Sequence, residues 1–149
     1  MYDEELEKAM LYYMIYEQYE CDLDKDDFIE SKNIKIINAI NSLKAKKEEI
    51  SILSVQREIK ANKTEVLQYL TALNEFVIGT NPDTVYSELI NLSKKRKIAK
   101  VLQEGLTNLD EEANVLGENI IKQLKQIQVR NDKEKTFVEQ VAQTLDKIE

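Results

Sequence analysis

The chain contains no histidine and no tryptophan, and it has one cysteine, one proline and three glycines among its 149 residues. Without histidine, and with Cys21 as the sole thiol, an ordinary zinc or haem site is excluded. A serine or cysteine nucleophile lacks its usual base. Gly79, Gly105 and Gly117 are scattered, and none is followed by Lys-Ser or Lys-Thr. Neither a phosphate loop nor a dinucleotide fingerprint is therefore present. Acid pairs such as Asp26 and Asp27 read as loop charges. The expectation is a chain with no catalytic residues and no cofactor, unable by itself to hydrolyse ATP. Cys21 cannot form an internal disulfide, which makes a reduced, cytoplasmic setting the default. No secretory signal is visible, and no apolar run approaches the roughly 18 residues that a membrane span requires.

What is present is helix-forming. Charged residues make up 33% and hydrophobic residues 42% of the chain, with almost nothing to break a helix. That profile predicts an all-α soluble protein: one domain, or one small domain with an appendage. A chain of this size buries roughly two-thirds of its unfolded surface. The net charge is −7 and is unevenly spread. The first thirty residues hold eleven acids against Lys8 and Lys25. That half repels phosphate, which disfavours DNA binding by the surface as a whole.

The clearest helix start is Asn81-Pro82-Asp83. Asn81 can cap the first turn, Pro82 suits the first helical position, and Asp83 suits the positive end of the dipole. Val85, Leu89, Leu92, Ile98, Val101 and Leu102 keep helical spacing for about six turns. A polar break follows over residues 107–112. Leu116, Ile120, Leu124 and Ile127 then form a second series. Two long helices joined by a short loop predict an antiparallel hairpin over residues 81–128, protruding from a compact helical domain over residues 1–80. The apolar stripe at Leu116, Ile120, Leu124 and Ile127 is the candidate self-association surface.

Within residues 1–80, a first helix runs from about residue 3 to 19, with Leu6, Met10, Tyr13 and Met14 on one face. Five tyrosines (Tyr2, Tyr12, Tyr13, Tyr16, Tyr19) cluster there. They read as core-edge residues with their hydroxyls in water, with interface anchoring as the competing reading. Asp22 to Glu30 is a polar loop anchored by Phe28. Ile34, Ile36, Ile37, Ile40 and Leu43 mark a second helix, closed by Lys44, Lys46 and Lys47. A third begins near Ser51, with Ile52, Val55 and Ile59 inward. A fourth is capped by Asn62 or Thr64 and carries Val66, Leu70, Leu73 and Val77 as one continuous stripe, until Gly79-Thr80 breaks it.

Residues 129–133 read as a linker. Beyond them Phe137, Val138, Val141, Leu145 and Ile148 predict an amphipathic linker helix, which either folds back or waits for a partner groove. The one basic cluster, Lys94 to Lys97 with Lys100, reads as a solvated surface, because consecutive residues spread round a helix. A dock for DNA or an acidic partner is the alternative.

The order of these elements resembles the N-terminal domain of the DnaB-type replicative DNA helicases, followed by the first part of their linker. The resemblance spans essentially the whole chain and is carried by short motifs. Glu4-Glu5-Leu6-Glu7-Lys8-Ala9-Met10-Leu11 stands where that family has an acidic start and an apolar run, without the family's glycine. Asp27-Phe28 matches its Asp-Phe, and Asn33 takes the place of its histidine, ahead of Ile36-Ile37. Ser51-Ile52-Leu53-Ser54-Val55 stands at an altered helix start. Tyr69-Leu70-Thr71-Ala72-Leu73 is similar to its Tyr-Leu-x-x-Leu, Tyr86 matches the tyrosine opening its hairpin helix, and Lys97 stands near its arginine. Residues 137–149 are similar to the linker helix. The resemblance implies a non-catalytic collar domain that pairs through its hairpin, as a dimer or within a hexameric ring. It implies primase and helicase-loader proteins as partners, with DNA reached only through the motor domain that this chain lacks. Because the ATPase motor is missing, the chain is either a fragment or a stand-alone relative. The rival reading is a phage or plasmid helical protein that binds, loads or inhibits a host helicase; a weaker third is a DNA-binding module.

Overall fold

In the computed structural model, which describes residues 3–127, the chain is all-α. Six α-helices and no strand are found among the described residues: α1 (Glu4–Tyr16), α2 (Ser31–Ala45), α3 (Ile52–Glu58), α4 (Lys63–Thr71), α5 (Pro82–Thr107) and α6 (Ala113–Lys125). The linker at 129–133 and the helix carrying Phe137, Val138, Val141, Leu145 and Ile148 lie outside the described residues.

Most helix starts follow from local capping. The Asp3 carboxylate accepts from the Leu6 amide at 3.0 Å. Ser51 and Ser54 cap each other reciprocally, each side chain accepting the other's backbone N–H. Asn62 Oδ1 accepts from the Thr64 and Glu65 amides, and Asn81 Oδ1 from that of Thr84 at 2.9 Å. Each cap satisfies donors that the first helical turn leaves open. At the other end of α2, Lys47 takes a left-handed conformation, with φ +57°.

The continuous helix expected through Val66, Leu70, Leu73 and Val77 is not formed. α4 stops at Thr71 and a 3-10 turn runs from Ala72 to Phe76. The Thr71 hydroxyl donates back to the Leu67 and Gln68 carbonyls, at 2.9 and 3.0 Å, and so competes with the backbone ladder. Tightening to about three residues per turn keeps both Leu70 and Leu73 in the core. The loop after α1 also contains a short 3-10 turn (Lys25–Asp27), closed by a capping box from Asp24, and Phe28 is buried just beyond it.

The chain divides into two compact units, and the division falls inside α5, after Ser93. The first unit has a single core. Met10, Leu11 and Met14 of α1 meet Ile37, Ile40 and Leu43 of α2, Val55 of α3, Leu70 and Leu73, and Val85, Leu89 and Ile90 from the start of α5. In the second unit, Gly105 of α5 and Ile120 of α6 are in contact. A Cβ added at Gly105 would lie 2.8 Å from Ile120 Cδ1.

Candidate interaction surface

A chain of buried polar groups organises the first unit. Glu7 on α1 is fully buried, where an apolar residue would be expected. Its carboxyl oxygens accept from the backbone amides of Ile29 at 2.9 Å and Glu30 at 3.3 Å, immediately before α2. It also accepts from Asn33 Nδ2 at 2.9 Å. Glu7 thus tops the positive end of α2 from another helix. Asn33 is itself buried, and its Oδ1 accepts the Tyr69 hydroxyl from α4. Asp27, equally buried, accepts from the Asp24 amide at 2.9 Å and from the Ser93 hydroxyl at 2.6 Å. These groups meet the rule that buried polar atoms are hydrogen-bonded.

The tyrosines do more than cover the edge of the core. Tyr13 bonds Thr80 Oγ1 at 2.7 Å. Thr80 already donates to the Val77 carbonyl, so Tyr13 is the donor. Tyr16 donates to the Leu70 carbonyl at 2.9 Å, and Tyr19 to Asp83 at 2.7 Å. The expectation of hydroxyls left in water is corrected for these three: each ties α1, or the turn after it, to a segment more than fifty residues away. Burial, and then the Asp83 carboxylate, pushes the Tyr19 phenol well above its usual range. Tyr12 stacks on Tyr16 with ring centroids 4.7 Å apart.

In the second unit, the stripe expected on α6 is largely covered. Leu124 and Ile127 are buried, and Leu116 and Ile120 are half-buried. The apolar residues that stay open lie elsewhere: Leu102 (49% exposed), Leu106 (67%), Leu109 (66%) and Val115 (45%). They occupy the last two turns of α5, the connecting loop and the first turn of α6. Leu102 and Leu106 are four residues apart and share a face of α5. The sequence signal was available in Leu106 and Leu109, which fall outside both helical stripes. Of the basic cluster, Lys95 and Lys100 are exposed, Arg96 and Lys97 are half-buried, and Lys94 is buried. Lys94, Arg96 and Lys97 all make interactions within the chain.

Among the described residues, no helix is long and apolar enough to cross a membrane, and no group of acidic residues with cysteine is arranged to hold a metal ion. The chain matches no protein-family model, no curated protein and no solved structure.

Proposed function

We propose that this chain is a non-catalytic oligomerisation and docking module, the N-terminal collar domain of a DnaB-type replicative helicase with the beginning of its linker. The observation that carries the reading is the set of exposed apolar side chains at Leu102, Leu106, Leu109 and Val115, where α5 ends and α6 begins. In a two-fold pair every such residue counts twice. The part of each still in water contributes on the order of 1 kcal/mol when covered. Eight side chains then supply roughly 8 kcal/mol, against an association cost of at least about 4 kcal/mol. That balance supports a weak pair, stable mainly when several pairs close a ring. The motif order around Asp27-Phe28, Asn33, Tyr69 and Tyr86 supports the collar assignment, and with it a cytoplasmic setting and primase and loader partners.

The experiment is sedimentation of the full chain at concentrations rising to about 1 mM. The wild type is expected to self-associate, and Leu106→Asp with Leu109→Asp to sediment as a helical monomer. A wild-type chain that stays wholly monomeric at about 1 mM, the dissociation constant this balance allows, overturns the reading. Mixing with a purified DnaB-type helicase then separates the rival. A stand-alone helicase-binding protein shifts the helicase boundary while failing to pair with itself.

A further inference from the structure

We propose that the groove between α2 and the start of α4 is a docking site for an acidic amphipathic peptide segment of a partner protein. This inference does not depend on the collar reading. The inner end of the groove is a cavity of about 120 Å³ floored by Ile36, Ile59 and Val66, walled by Tyr69, with Lys32 and Lys35 at its mouth. A shallower cavity of about 380 Å³ shares Lys35 and Ile59 with it and continues along α2 as far as Ser42, with Lys60 on its rim. The two form one trough, running roughly 15 Å along α2 at 1.5 Å per residue.

Size argues for a peptide. Pockets for small organic ligands usually enclose about 300–1,000 Å³, so the enclosed inner end is too small for one. It does fit a single aliphatic or aromatic side chain, and the open trough beyond it suits the rest of an extended or helical segment. The wall is preorganised. The Tyr69 hydroxyl is fixed on Asn33, which is fixed on Glu7, so the ring presents a set face. Lys32 Nζ lies 5.6 Å from the centre of that ring.

Charge argues for acidity in the occupant. Residues 3–93 carry ten lysines and arginines against eighteen acids, yet Lys32, Lys35 and Lys60 all line this trough. Of its two carboxylates, Glu58 is taken up internally: it accepts from Ser42 at 2.6 Å and from Lys46 at 2.9 Å. The Ser42 hydroxyl and then the Lys46 ammonium hold it below the usual carboxylate range. Glu65 is the other. The acidity of the unit as a whole does not repel a docked peptide, because screening cuts off interactions beyond about 8 Å at physiological salt. Inside that radius the lysines dominate.

The test is selection of displayed random peptides on the full chain, followed by fluorescence anisotropy with the enriched peptides. Enrichment of peptides that carry net negative charge around one apolar anchor is expected, with affinity falling as salt rises. In the double variant Lys35→Glu, Lys60→Glu, both at exposed positions, affinity is expected to drop roughly tenfold, since two attractions become repulsions. Val66→Phe, which fills the anchor pocket, is expected to abolish binding while helicity by circular dichroism is kept. The proposal is overturned if nothing is enriched, if the enriched peptides are neutral or basic, or if the charge-reversed variant binds them as well as the wild type does. It is also overturned if a synthetic peptide of residues 134–149 occupies the trough more tightly than any selected peptide. In that case the occupant is the chain's own segment and not a partner.

Discussion

Asn33 on α2 donates its side-chain N–H to Glu7 on α1 at 2.9 Å and accepts the Tyr69 hydroxyl from α4. One buried amide thus joins three helices, and its removal strands polar atoms at both ends. Asn33→Ala is expected to destabilise the chain by roughly 2–4 kcal/mol, since each buried group left unsatisfied costs about 1–3 kcal/mol. Urea unfolding measures it. Tyr69→Phe removes only the half-buried end and should cost clearly less. Equal losses in the two variants would mean that the Asn33–Glu7 link contributes little.

The Tyr19–Asp83 bond predicts an alkaline dependence of stability. The folded phenol titrates above its unfolded value of 10.0. Its contribution is therefore complete below about pH 10 and is lost as pH rises above it, where the unfolded chain releases its proton first. Tyr19→Phe should flatten that alkaline fall relative to the wild type. Denaturant midpoints across pH 8–11.5 should place the wild type above the variant below the reference tyrosine pKa of about 10, with the two curves converging above it. Parallel curves would count against the bond.

Gly79 holds a left-handed conformation at φ +76°, in the turn that leads to the Asn81 cap, and a Cβ there would meet nothing within 4 Å. The only obstacle to a side chain is the backbone. Gly79→Ala is expected to cost about 1–2 kcal/mol, and Gly79→Asn less, because asparagine tolerates this region. Thermal melting of both variants checks the ranking.

Gly105 has the opposite character. It lies inside a helix, where alanine is favoured over glycine by about 1 kcal/mol, but its missing Cβ admits Ile120 Cδ1. That methyl is the free end of a side chain and can turn aside. Gly105→Ala is thus expected to be nearly neutral in stability. Gly105→Val cannot be accommodated by one rotation and should cost roughly 1–3 kcal/mol. Circular dichroism melts measure both, and an alanine variant as damaged as the valine one would show Ile120 to be immovable.

Several features were legible in the sequence because they are local. The caps at Ser51, Asn62 and Asn81 act on amides two or three residues away, so residue type and position brought these helix starts to within a residue or two. The buried face of α2 at Ile36, Ile37, Ile40 and Leu43 followed from helical spacing. The all-α class followed from the scarcity of helix breakers. Tertiary structure decided the rest. Nothing near Tyr13 or Tyr16 in the chain announces Thr80 or the Leu70 carbonyl, and nothing near Glu7 announces the amides before α2. A polar residue becomes a core residue only when the fold delivers its partner. The same holds for apolar ones. Helical spacing places Leu116 and Leu124 on one stripe alike, but only the folded chain buries Leu124 while leaving Leu116 half-covered.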